Sequence, residues 1–236
     1  MPELTVVIPI YNEEASVTPL IEEIVAVVGL DPDRTEILCV DDGSSDRTGE
    51  LLAELRKTYP VLHVITFETN AGQSAAMACG FLEARGRYVV AMDGDGQNDP
   101  ADIPRIVELL DRYQVVCGIR RNRRDSLAKR WGSRLARTVR RWVIGDSIVD
   151  IGCSLKGFHR DAIRRLYFFD GAHRFLPVLL EMEGCSITQI DVNHRPRRAG
   201  VSKYGNLGRL AKTWQDLLGV RWMQKRKLDY QVRERC

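Results

Sequence analysis

The stretch DGDGQND, residues 93–99, sets aspartates at 93, 95 and 99 and an amide at 97, so an oxygen donor recurs at every second position behind the apolar run YVVA. One or two carboxylates with an amide oxygen bind a hard cation such as Mg2+ or Mn2+ and leave coordination positions for the oxygens of a diphosphate. That chemistry suits a nucleotide-sugar. A calcium-binding EF-hand loop begins similarly. Counting Asp93 as position one, however, puts Asn98 where glycine is required and Pro104 where a bidentate glutamate belongs. Asp99, directly before Pro100, reads as a helix N-cap. Asp93 and Asp95 lie before that cap, at a strand's carboxyl end, and are assigned to function.

A second acidic group, DDGSSD at 41–46, follows another apolar run and offers Asp41 and Asp42. Its turn-forming residues would explain a plain strand-end turn, but the doublet's place after a buried strand favours binding. Nitrogen and sulfur metal sites are not indicated: His63, His159, His173 and His194 show no zinc spacing. Cys39, Cys79, Cys117, Cys153, Cys185 and Cys236 form no C-x-x-C pair and read as reduced core residues. Neither G-x-G-x-x-G nor G-x-x-x-x-G-K-[ST] occurs, which argues against a dinucleotide-binding crossover and a P-loop.

These groups need elements to hold them. Apolar, β-branched runs at 4–10, 36–40, 63–67, 88–92 and 115–118 alternate with helical periodicity at 14–28, 47–58, 73–85 and 101–112, with Asp46 as N-cap of the second helix. This rhythm predicts an α/β fold in which a mostly parallel central sheet carries helices on both faces and binds ligands beyond the carboxyl ends of its strands. PIYNEE, DDGSSD, NAGQ and DGDGQND all fall at such ends.

With 236 residues, 44% apolar and 28% charged, the chain reads as a single folded domain over 1–236. The net charge of +3 conceals two opposite halves. Residues 1–118 carry 21 acids and 8 bases, net −13, and 119–236 carry 11 acids and 27 bases, net +16. The basic half calls for a polyanionic partner. Within 120–142, Arg130, Arg134, Arg137 and Arg141 fall on one helical stripe, and Trp131, Leu135, Thr138 and Trp142 on the stripe beside it. A basic face next to a tryptophan-rich face suits an anionic membrane surface or a lipid phosphate; an ordinary amphipathic helix is the plainer alternative. Leu207, Leu210, Ala211, Trp214, Leu217, Leu218 and Trp222 repeat the pattern, either on the bilayer or on the domain's own core. No zinc finger, helix-turn-helix or RNP-like string accompanies the charge, so nucleic acid is not the expected partner. No apolar run reaches the roughly 20 residues of a membrane span and the N-terminus lacks a secretory pattern, so the expected location is cytoplasmic, peripheral on the membrane's cytoplasmic face.

Taken together, VVIPIYNEE, VDDGSSDRT, NAGQSAAMACGF, DGDGQNDP and HRPRRAGVSKYG, in this order, resemble family 2 glycosyltransferases of the dolichol-phosphate mannosyltransferase-like branch. The resemblance covers almost the whole chain. It implies a GT-A nucleotide-sugar-binding fold and inverting transfer from a donor of the GDP-mannose or UDP-hexose type to a polyprenyl phosphate. By the same resemblance, Pro9, Tyr11 and Glu13 line the nucleoside pocket, and Asp41 and Asp42 bind base or ribose. Asp95 and Gln97 ligate Mg2+ or Mn2+, and Asp93 supports the ribose and the metal's outer shell. His194, Arg197, Gly200, Ser202 and Lys203 match the family's H-x-x-R-x-x-G-x-S-K pattern and imply a lid in which Arg197, Ser202 and Lys203 meet the donor, its two cations stabilising the leaving diphosphate. Arg120, Arg130, Ser133 and Arg134 are the candidates for the acceptor phosphate. A phosphate monoester is largely dianionic at neutral pH and needs no general base, which implies direct displacement without a covalent intermediate. The alternatives are transfer to a soluble hydroxyl acceptor, metal-dependent nucleotidyl transfer, and non-catalytic nucleotide-sugar binding at a membrane.

Overall fold

The computed structural model describes residues 1–121, 127–196 and 206–228, and their side chains apart from 127–134 and 206–211. The first half follows the expected rhythm: β1 (Leu4–Ile10), α1 (Val17–Val28), β2 (Thr35–Asp41), α2 (Thr48–Thr58), β3 (Leu62–Thr66), α3 (Gln73–Glu83), β4 (Tyr88–Ala91), a 3-10 turn (Pro100–Asp102), α4 (Ile103–Leu110) and β5 (Val115–Arg120). The second half adds α5 (Leu127–Ile144), β6 (Lys156–His159), α6 (Arg160–Ile163), a 3-10 turn (Ala172–Arg174), α7 (Leu176–Met182), β7 (Ile187–Val192) and α8 (Asn206–Arg226).

Seven strands form one sheet in the order β3-β2-β1-β4-β6-β5-β7. β1 pairs parallel with β2 and β4, β2 with β3, and β5 with β7. β6 runs antiparallel to both β4 and β5. The sheet is therefore mixed but mostly parallel. Because β6 reverses the direction twice, β4 and β5 point the same way, and six strands end on one edge.

Period-two alternation divides the core between the two faces. Val6 and Ile8 of β1, Tyr88 and Val90 of β4 and Val116 of β5 pack with Leu20, Ile21 and Ile24 of α1, Leu52 of α2 and Ile106 of α4. Val7, Val89, Ala91, Val115, Cys117 and Phe158 of β6 pack with Met77 and Phe81 of α3, Ile163 of α6 and Leu180 of α7. Burial raises the Cys117 thiol to about 12 and pushes Cys39 and Cys153 upward as well, as expected of cysteines that serve as small core residues.

The chain forms two compact units, Met1–Arg124 with Ile148–Lys203, and Asp125–Ser147 with Tyr204–Cys236. The sheet belongs to the first. The second contains α5 and α8, joined where Gln224 donates to the Ile144 carbonyl at 2.9 Å, with Ile144, Leu217 and Val220 buried. Arg140 and Asp146 form a buried two-pronged ion pair there, at 2.6 and 2.9 Å. The C-terminal apolar stripe divides: Leu217 faces inward, whereas Trp214, Leu218 and Trp222 are exposed. Leu207, Leu210 and Ala211 lie outside the described side chains.

Candidate functional site

The ends of β1 and β2 are laced together by side chains of the YNEE and DDGSSD turns. Asn12 occupies the left-handed region at φ 51°, which asparagine tolerates better than most residues. Its Oδ1 accepts the Ser45 N–H at 2.8 Å while its own N–H donates to Ser44 Oγ at 2.9 Å. The Glu13 N–H donates to Thr48 Oγ1 at 2.9 Å. Asp46 accepts the N–H groups of Thr48 and Glu14, so it caps α2 from the residue before the formal N-cap, Arg47. Pro9, in β1 opposite Val40, and Tyr11 and Glu13 just beyond it are thus set beside Asp41, whose Oδ1 accepts the Ser44 N–H at 3.0 Å.

Asp42 faces a different partner. Its carboxylate accepts the N–H groups of Ala71 at 2.7 Å and Gly72 at 2.9 Å and the Asn70 side-chain amide at 2.8 Å. Expected as a base or ribose ligand, it is buried and pins the NAG turn that starts α3. Gly43 lets β2 and this turn approach: at φ 69° its Cβ would stand 2.7 Å from the Thr69 carbonyl carbon.

The pinned turn delivers Gln73, the first residue of α3, whose amide donates to Asp93 Oδ1 at 2.8 Å. Asn98 Oδ1 accepts the Asp93 N–H at 3.1 Å and the Ser154 hydroxyl at 2.8 Å. Asp95 is buried and accepts the Gln97 N–H at 3.1 Å. Burial, and after it the nearby Asp95 charge, raises the Asp93 pKa, against the Ser154 hydrogen bond and the charges of Lys156 and Arg120. Neighbouring hard-oxygen acids of this kind fit a divalent cation, which would relieve their repulsion. The Gln97 amide nitrogen points toward His194 Nε2 at 3.5 Å and the Arg195 carbonyl at 3.4 Å, which leaves its Oε1 as the hard donor of that side chain. Among the described residues no three His, Cys, Asp or Glu side chains gather as a metal cage. A cation on Asp95 and Gln97 would complete its shell with ligand oxygens.

Asp99 is an N-cap, accepting the Ala101 N–H at 3.1 Å at the start of the first 3-10 turn. It also accepts Asn193 Nδ2 at 2.8 Å and Arg195 Nη2 at 2.7 Å. Burial acts upward on this carboxyl, but these bonds together hold it below its ordinary range. The backbone joins in: Asn98 bridges His194, and the Arg195 N–H donates to the Gln97 carbonyl at 2.8 Å. The segment leading to the basic stretch HRPRRAGVSKYG is thereby fastened to the acidic motif, while Arg197, Ser202 and Lys203 lie outside the described residues.

Arg120, at the end of β5, sets Nε and Nη2 on Asp150, both at 2.8 Å, leaving Nη1 for any anion. Arg130, Ser133 and Arg134 lie on α5 but outside the described side chains. Sequence reasoning missed Gln73, Asn98, Ser154, Asp150, Lys156, Asn193 and Arg195. Gln73 and Asn98 stood inside motifs read only for their neighbours, and Lys156 was signalled by a lone charge in the run CSLKGF.

Residues 5–167 match the family model described as Glycosyl transferase family 2. The chain is 38% identical over 234 residues to dodecaprenyl-phosphate galacturonate synthase of Rhizobium johnstonii, covering 95% of this chain and 68% of that one. It is 38% identical over 218 residues to undecaprenyl-phosphate 4-deoxy-4-formamido-L-arabinose transferase of Pectobacterium carotovorum, covering 91% and 66%. The chain therefore spans about two thirds of the length of these curated relatives. Glucosyl-3-phosphoglycerate synthase of Mycobacterium tuberculosis, solved with Mn2+, UDP and phosphoglyceric acid, superimposes with a TM-score of 0.69 at 20% identity, covering 97% of this chain and 80% of that one. The same synthase has been solved with Mg2+ and UDP. The shared fold is GT-A.

Proposed function

The chain belongs to glycosyl transferase family 2, and from that membership we propose that it transfers a sugar from a nucleoside-diphosphate sugar to a polyprenyl phosphate. The observation that carries this reading is the acidic end of β4, where Asp93 and Asp95 stand together beside the strand ends that fit a nucleotide. The relatives' names support the acceptor, since both act on a prenyl phosphate. The resemblance implies a donor of the GDP-mannose or UDP-hexose type; of the two we favour the UDP-linked one, as UDP is the nucleotide bound by the structural neighbour.

Asp95 and Gln97 would hold Mg2+ or Mn2+, which would supply Lewis-acid stabilisation of the diphosphate. Pro9, Tyr11, Glu13 and Asp41 surround the nucleoside. Asp93 orients the ribose side of the donor. Arg197, Ser202 and Lys203 are the candidates to meet the diphosphate and stabilise its departure. The acceptor phosphate attacks the anomeric carbon directly and inverts it as the nucleoside diphosphate leaves; Arg120 Nη1 is the candidate to receive it in the sheet unit, and Arg130, Ser133 and Arg134 are the candidates on α5. No side chain has to remove a proton from a dianionic phosphate.

The protein works at an anionic membrane surface. Trp142 is 85% exposed and Trp222 63%, near in sequence to Arg141, Arg221 and Lys225, a pairing of large apolar side chains with cations that suits the headgroup boundary. No helix among the described residues is long and apolar enough to cross a membrane.

The test incubates the protein with UDP- and GDP-sugars, a polyprenyl phosphate and Mg2+ or Mn2+, reading lipid-linked sugar by mass spectrometry. Nucleoside diphosphate should be released. Release of pyrophosphate from a triphosphate would point to nucleotidyl transfer, turnover only with soluble alcohols to a hydroxyl acceptor, and binding without turnover to a non-catalytic protein.

A further inference from the structure

Lys156 opens β6 at the interior of the sheet, opposite Ala91 of β4 and Cys117 of β5. It shares their face with Val89, Val115 and Phe158 and is only 3% exposed. An ammonium buried there is costly unless it is ion-paired or hydrogen-bonded. Among the described residues it forms no ion pair; its hydrogen-bond acceptors are the main-chain carbonyls of Cys153 and, at 3.4 Å, Ile151.

Those carbonyls belong to the turn Asp150–Ser154, which lies where β6 enters the binding edge. Asp150 fastens one end to Arg120. The turn is pressed onto β5, where a Cβ at Gly118 would stand 2.8 Å from Cys153 Sγ. Ser154, at the other end, donates to Asn98 Oδ1 at 2.8 Å, the same oxygen that accepts the Asp93 N–H at 3.1 Å. A lysine too buried to touch a substrate is thus connected, through one turn, to the first acid of the DGDGQND motif.

We propose that Lys156 is a positioning residue: its buried ammonium holds the Asp150–Ser154 turn so that Ser154 and Asn98 fix Asp93 in the orientation that nucleotide binding requires. This rests on the nucleotide-donor reading above, but not on the identity of the acceptor.

The test measures the affinity of the full chain for UDP and for GDP, each with Mn2+, by calorimetry, alongside circular dichroism and thermal unfolding. Lys156→Met should bind roughly 10- to 100-fold more weakly, the range typical of lost outer-shell support, and Lys156→Arg should recover most of the loss. Ser154→Ala should weaken binding in the same direction, and Lys156→Met with Ser154→Ala should be no worse than Lys156→Met alone, because both act through one turn. Where lipid-linked product forms, donor KM should rise by the same factor with kcat nearly unchanged. A folded Lys156→Met protein with wild-type affinity, or strictly additive losses, would overturn the proposal. If Lys156→Met does not fold, Ser154→Ala decides, and wild-type affinity in that variant sinks it. Wild-type protein that binds a nucleotide yet makes no lipid-linked sugar would sink only the acceptor reading. Wild-type protein that binds neither nucleotide would overturn both.

Discussion

The Asp99 carboxylate and the Arg195 guanidinium meet at 2.7 Å across nearly a hundred residues of chain, while the other arm of Arg195 reaches Glu23 of α1 at 2.5 Å. One arginine thereby joins the acidic motif, the first helix and the segment after β7. Arg195→Met should lower stability by about 1–3 kcal/mol, as expected when hydrogen bonds to charged groups are lost. A reduced urea midpoint with an unchanged slope is the expected record.

Asp42 distinguishes support from contact. Its acceptors face two backbone N–H groups and one amide, so Asp42→Asn turns part of the acceptor into a donor against donors. Unfolding should show a loss of about 1–3 kcal/mol, with nucleotide affinity falling as the Gln73 contact to Asp93 loosens. Unchanged stability with lost affinity would instead mean direct ligand contact.

Asp95→Asn should abolish divalent-dependent transfer while leaving circular dichroism and the unfolding temperature near wild type. Normal activity in this variant would remove Asp95 from the metal site.

Acid stability depends in part on Asp46. Burial acts upward on its pKa, but hydrogen bonds from the Thr48 side chain and from the N–H groups of Thr48 and Glu14 lower it below the ordinary value. The folded state therefore favours the ionised form. That stabilisation is present above the unfolded pKa, near 4, and is lost as pH falls through the lower folded value. Thermal unfolding should show wild type more stable than Asp46→Asn by a constant margin above about pH 4, with the two converging as pH falls through the lower folded value.

Trp142→Ala with Trp222→Ala should weaken binding to anionic vesicles several-fold, with UDP affinity retained, since these rings are exposed rather than packed. Vesicle co-sedimentation at two salt concentrations separates the apolar from the charge contribution.

The first half of the fold was legible because each element announces itself locally. β1, β2 and β4 are mostly apolar and buried almost throughout, and α1 and α4 carry clear amphipathic periods. β6 and β7 were not legible. KGFH is four residues long and begins with a lysine, and ITQIDV mixes polar and apolar residues along a half-buried strand. The acids of the site could be named from their strand-end positions, but not their division of labour. Nothing in DDGSSD says that Asp42 turns to the NAG loop, and nothing in the arginine stripes says that Arg140 is buried on Asp146 beyond the helix end. Those roles are set by partners distant in sequence or just past a turn.

The antiparallel β6 also governs how the chain can be assembled during synthesis. One edge of β4 is covered by β1, which is made earlier, but the other waits for β6, about 65 residues further on. At roughly 5–20 residues per second on the ribosome, that apolar edge stays open for several seconds. β5 cannot fill the gap without blocking the place of β6. The newborn chain therefore passes through a stage with an unpaired strand edge, the form most prone to mispair with another chain, and the arrival of four residues, Lys156–His159, ends it.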